Sequence, residues 1–241
     1  MDRENNIWVA TSEGIDCFRN VAVTTISTRE GLTSNLVDSV LAARDGTIWI
    51  GNHGALEFLR DGHLSSIRVR DGLPGERVTS PLEDHAGQLW VGIDNDLYVY
   101  DKGEFRRIKR PESAPIGPII AIAEDQDNNV WAEAIGNPAK LVRIQDREVR
   151  EEIPAPRVPT ATSLAADPKD GIWLGLANGA LARYRHGQLE TFPIRSGMAA
   201  VMRQILVRAD GSALGASSAG LVEWRDGTLR TLTSVVGENA H

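Results

Sequence analysis

The chain has 241 residues, 41% of them hydrophobic and 24% charged, a balance typical of soluble globular proteins with room for a large core. A net charge of −7 with no strongly basic stretch argues against a nucleic-acid partner, because such binding is driven by Lys and Arg neutralising phosphates. No apolar run approaches the ~18 residues of a membrane span, and the single cysteine, Cys17, rules out an intrachain disulfide and reads as a packed thiol.

Met1 to Asn6 is charged and polar where a signal peptide needs an apolar stretch, so the chain as written carries no export address. Asp2 to Asn6 reads as a turn into a strand at Ile7-Trp8-Val9. From Val37 the pattern is fuller. Val37 to Ala43 reads as a strand a, and Arg44-Asp45-Gly46 turns into strand b at Thr47 to Gly51. Asn52-His53-Gly54 then turns into strand c, Ala55 to Arg60, and Asp61-Gly62 is a hairpin turn into strand d, His63 to Val69.

That unit repeats down the chain. Trp8, Trp49, Trp90, Trp131 and Trp173 stand at intervals of 41, 41, 41 and 42 residues. The phrase Asp45-Gly46-Thr47-Ile48-Trp49-Ile50-Gly51 returns as Ala86-Gly87-Gln88-Leu89-Trp90-Val91-Gly92 and as Asp170-Gly171-Ile172-Trp173-Leu174-Gly175. A sixth copy, Asp210-Gly211-Ser212-Ala213-Leu214-Gly215, has lost its Trp. Turn formers every eight to twelve residues leave room for strands and not for helix pairs, so a period near 40 means propeller blades. Small residues in the a segments, such as Ala42, Ala121 and Ala165, suit strands crowded around an axis, and the repeated Trp suits packing between blades.

The expected fold is therefore an all-β β-propeller of about six four-stranded blades in one domain. The repeats run approximately 1–35, 36–76, 77–117, 118–159, 160–199 and 200–241. The first blade lacks its strand a, and the tail Ser234 to His241 is too short and polar to supply it. This predicts a fragment of a seven-bladed or larger ring.

Glu30-Gly31-Leu32-Thr33-Ser34-Asn35-Leu36-Val37 and Asp71-Gly72-Leu73-Pro74-Gly75-Glu76-Arg77-Val78 precede a strand, an Asp-x-x-Gly type turn and Trp-x-Gly. This pattern resembles the two-component regulator propeller repeat over nearly the whole chain. Repeats four and six depart from it, through Trp131-Ala132-Glu133 and through Ala213. The resemblance implies a ligand-sensing module of a bacterial sensor protein, working in the periplasm on ligands that include oligosaccharides. Membrane contact would come only through segments absent here. The shared motif builds the blade and carries no ligand contact over.

Alternating strand direction puts the b–c turns and the d-to-a connections on one edge, at the mouth of the central channel, where the repeats differ most. Asn52, His53, Asp94, Glu133 and Asn137 stand on b–c turns, and Asn35, Glu76, Arg77 and Arg157 on d-to-a connections. Such a mixed set suits a small polar ligand such as a carbohydrate, although each residue also reads as a solvated turn residue. Glu133 is singled out because it replaces a Gly that four other repeats keep. No cofactor or metal is expected: Asp125 to Asn129 looks faintly like a calcium loop but occupies the a–b turn of every blade and lacks the distant Glu.

Two other functions remain open. Streptogramin lyases are similar in their Gly-x-x-Trp propeller repeats and perform an elimination with a metal ion and a histidine. Here only His53 falls on the channel-mouth edge, without a visible partner, so no catalytic residue is assigned. A protein-binding scaffold, or a homodimer, fits the architecture as well.

Overall fold

In the computed structural model the chain is described over residues 6–11, 14–18, 23–111, 114–193, 201–218 and 220–234. Asp2 to Asn5 of the expected first turn, and the tail beyond Ser234, lie outside the described residues.

Two compact units divide the chain, Met1–Ile119 and Ile120–His241. In the first, β1 (Ile7–Thr11), β2 (Gly14–Phe18) and β3 (Val23–Ile26) form a sheet that has three strands among the described residues. Next come β4 (Val37–Ala42), β5 (Ile48–Asn52), β6 (Leu56–Arg60) and β7 (His63–Ile67), followed by β8 (Val78–Glu83), β9 (Leu89–Ile93), β10 (Asp96–Asp101) and β11 (Glu104–Arg107). The second unit holds β12 (Ile119–Glu124), β13 (Val130–Ala134), β14 (Lys140–Gln145) and β15 (Glu148–Pro154), whose first residue falls on the boundary. It continues with β16 (Ala161–Ala166), β17 (Ile172–Leu176), β18 (Leu181–Arg185) and β19 (Gln188–Phe192). The last blade is β20 (Met202–Val207), β21 (Ala213–Ser217), β22 (Gly220–Arg225) and β23 (Thr228–Ser234). Every sheet is an antiparallel meander in sequence order. The chain is an all-β propeller of six blades. No helix among the described residues is long and apolar enough to cross a membrane.

Local chemistry sets the strand ends. The c–d turns place consecutive residues at positive φ: Asp61 and Gly62 at 50° and 77°, His186 and Gly187 at 49° and 75°. This is the twist a two-residue hairpin needs, and Gly is the residue that tolerates it most cheaply. In the a–b turns a carboxylate replaces the missing strand partners. Asp84 accepts the amides of Ala86 and Gln88 at 3.0 and 2.8 Å, and Asp125 those of Asp127 and Asn129 at 3.0 and 2.9 Å.

These turn carboxylates also hold the repeated tryptophans. The indole of Trp90 donates to Asp84 at 2.8 Å and that of Trp131 to Asp125 at 2.7 Å. Within each unit the ring then packs on an aromatic of strand c in the next blade: Trp49 on Tyr100 with centroids 5.9 Å apart, Trp131 on Tyr184 at 5.7 Å and Trp173 on Trp224 at 4.9 Å. Inner strands stack side by side, β4 beside β8 and β16 beside β20, and β4 also lies against β1, the strand b of the first blade.

Strand b ends in a Gly because the neighbouring inner strands close over it. A Cβ on Gly51 would lie 2.5 Å from Ser39 Oγ and 2.7 Å from the Val78 carbonyl oxygen. Inner strands β4, β16 and β20 also break register near their first residues, at Val37/Ser39, Ala161/Ser163 and Met202/Gln204. Such a bulge turns one side chain out of the alternation.

Candidate functional site

In the first unit the bulge of β4 re-aims Asp38, whose side chain is 22% exposed, toward the b–c edge. There Arg77 grips it with two hydrogen bonds, Nε to Oδ2 at 2.9 Å and a terminal nitrogen to Oδ1 at 3.0 Å. The Asp38 contact pushes the Arg77 guanidinium further above its ordinary value, against a smaller opposing effect of burial. His53 Nε2 lies 3.3 Å from the same Asp38 Oδ2. His53 and Arg77 are bridged antiparallel, and the Gly54 amide donates to the Glu76 carbonyl at 2.6 Å.

Asp94 clamps the platform from the next blade. At φ 51° it sits in the β9–β10 turn, and its carboxylate accepts the Arg77 amide at 2.9 Å and the Glu76 amide at 3.2 Å. Its own amide donates to the Arg77 carbonyl at 2.9 Å. His53 and Arg77 thus meet at Asp38, a residue not expected from the sequence because it lies inside a strand, and Glu76 and Asp94 join them through the backbone beside Arg77.

The other expected residues have different surroundings. Asn35 accepts the Thr28 amide at 2.8 Å within its own loop. Asn52 is fully buried and donates to Glu57, also fully buried, which in turn accepts the Thr33 amide and hydroxyl at 2.8 Å each. Burial raises the Glu57 carboxyl above its ordinary range, and the Thr33 and Asn52 hydrogen bonds oppose this. Next to Asp94, the Asn95 backbone carbonyl accepts the Gly117 amide, and Asp96 pairs with Arg107 at 2.9 Å.

In the second unit Asn137 and Arg157 are exposed, and Glu133 is not. Glu133 ends β13 at 1% exposure. One of its oxygens accepts the Ala161 amide, and the other, Oε2, has no partner among the described residues. Burial pushes the carboxyl up to about 8, with the Ala161 bond opposing. Room for it comes from small neighbours: Ala161 stands where the Met202 side chain crowds Gly175. By offset from the a–b turn, Ala121 stands where the second and fifth blades carry Ser39 and Ser163.

Sequence reasoning missed the clefts on the opposite, a–b edge, since they form between blades that are distant in sequence. Among the described residues, no group of three or more His, Cys, Asp or Glu is placed to hold a metal ion.

No family model matches the chain, and no curated protein matches it in sequence. Solved structures do. Virginiamycin B lyase from Staphylococcus aureus matches with a TM-score of 0.80 at 16% identity, over 98% of this chain and 83% of that one. The extracellular domain of a hybrid two component system from B. thetaiotaomicron matches with a TM-score of 0.72 at 16% identity, over 96% of this chain and 32% of that one. A second such domain from the same organism gives 0.61 at 15% identity, over 96% of this chain and 40% of that one. The likeness establishes the propeller fold. Lyases and sensor domains alike carry that fold, so it does not choose between them.

Proposed function

We propose that this chain is the ligand-sensing propeller module of a bacterial two-component signal-transduction protein, exposed to the periplasm, which takes up a small hydroxyl-rich ligand such as an oligosaccharide. The observation that carries the reading is the Asp38–His53–Arg77 platform. It presents carboxylate, imidazole and guanidinium side by side, half open to solvent, on backbone pinned by Asp94. Sugar hydroxyls donate and accept at once, and a paired carboxylate and guanidinium answer both needs in fixed geometry. The repeat motif and the fold shared with sensor extracellular domains support the same reading.

Calorimetric titration with a panel of neutral and acidic oligosaccharides tests it. Saturable binding that weakens at least about tenfold in Arg77→Ala and in Asp38→Asn is expected, in line with loss of charge-assisted hydrogen bonds. A panel that shows no saturable binding, or binding indifferent to both variants, sinks the proposal.

One observation favours a second reading. A histidine held by a carboxylate is also how a general base is oriented, and a catalytically inactive histidine-to-alanine form of the S. aureus lyase was solved with quinupristin. Consumption of quinupristin by this chain, abolished in His53→Ala, would replace the sensor by an enzyme.

A further inference from the structure

The register places Leu214, not Ala213, where the five other strand b segments carry a buried or half-buried Trp: Leu214 pairs with Glu223 as Trp173 pairs with Arg183. Trp224, cross-strand from Ala213 in β22 as Tyr184 is from Ile172, packs against Trp173 and Phe192 with centroids 4.9 and 5.2 Å away. A cleft of about 350 Å3 lies between the fifth and sixth blades at their a–b edge, within the size range of small-ligand sites. Its walls include Lys169, Arg183, Asp210, Trp224, Arg225 and Asp226.

Three buried N–H donors at or beside this cleft have no acceptor among the described residues: Trp173 Nε1, Arg183 Nε and Trp224 Nε1. The contrast with the other blades is specific. Asp167 occupies the position of Asp84 and Asp125, yet it does not accept the Trp173 indole; its Oδ2 faces Arg183 at 3.8 Å. Lys169 has no ion-pair partner among the described residues, whereas Arg225 pairs with Asp210 at 3.3 Å and Arg183 with Glu190 at 2.6 Å. Buried donors left unpaired are costly, and a site holding several of them together with a cation is built for acceptors of negative charge.

The geometry points to a ligand site in this cleft for a small hydroxylated carboxylate, of the sugar-acid class. The carboxylate meets Lys169 and the unpaired N–H donors of Arg183 and Trp224, against whose ring the Trp173 indole packs. The hydroxyls meet Asp210, Asp226 and Arg225, and the apolar ring face lies on the Trp224 indole. This site is independent of the Asp38–His53–Arg77 platform, on other blades and at the opposite edge of the repeat, and stands whether or not that platform binds sugar.

Glucuronate is the probe and glucose its neutral control, read by the indole N–H resonances of the intact 15N-labelled chain. Glucuronate is expected to shift the Trp173 and Trp224 signals saturably while those of Trp90 and Trp131, already bonded to Asp84 and Asp125, stay still. Lys169→Ala, a change on an exposed turn, is expected to weaken the effect at least about tenfold, and Arg77→Ala to leave it intact. Lack of response in the two signals, equal response to glucose, movement of all the indoles together, or binding unchanged in Lys169→Ala would each overturn the site.

Discussion

Glu133 shows how one residue can set a solution property of the molecule. In the unfolded chain its carboxyl titrates near the ordinary 4.5, and in the native state burial holds it near 8. Below the lower value both states are protonated and the burial is tolerated. As pH rises from there through 8 the unfolded state ionises first, so native stability falls across that window. Melting temperatures of the wild type and of Glu133→Gln, measured from pH 5 to 9, should diverge steadily, with the Gln variant the more stable at the alkaline end. Parallel curves would mean that the carboxyl is solvated. Asp125 offers a second test at this scale, because its two oxygens hold three amide N–H groups and the Trp131 indole. Asp125→Ala leaves these buried donors unpaired, and chemical denaturation should show a loss of about 1–3 kcal/mol or somewhat more.

At the scale of elements, the close approach of inner strands to strand b makes its terminal Gly irreplaceable without movement. Gly51→Ala would set a methyl against both Ser39 Oγ and the Val78 backbone. Overpacking of this kind costs about 1–3 kcal/mol, seen as a lower midpoint in urea at unchanged slope. Glu133 is accommodated beside Ala161, a smaller residue than the Met202 whose side chain crowds Gly175, and with Ala121 where Ser163 crowds that Gly. Hence Ala161→Val should destabilise the wild type by a comparable amount, and the double variant Glu133→Gly with Ala161→Val should recover much of the loss. The bulge in β4 is the other decisive element, for it takes Asp38 out of the strand's alternation and brings it to Arg77 and His53.

At the scale of the molecule, each unit is a stack of blades whose faces are covered by the next blade. The fifth blade's Trp173 and Phe192 are covered by Trp224 and a cluster that includes Met202, Ile205 and Val222. Deletion of residues 200–241 should therefore lower the melting temperature and raise binding of an apolar dye, not yield a shorter, equally stable protein. A truncated chain that melts like the parent would show the sixth blade to be dispensable.

Much of this architecture was legible in the sequence. The Trp spacing, the Asp-Gly hairpins and the turn formers are local, periodic signals, and they determine strands, blades and the class of fold because each acts over a few residues of chain. Glu133 was also visible as a break in the pattern. Tertiary structure alone decided which polar residues meet. Asn52 reads as a turn residue, yet it is buried on Glu57. Asp38 reads as a strand residue, yet it anchors His53 of its own repeat and Arg77 from the next. The cleft beside Trp224 depends on how the sixth blade packs on the fifth. Periodicity places backbone, and a site depends on distances between side chains far apart in the chain, which bulges and the packing of neighbouring blades fix only once the fold has formed.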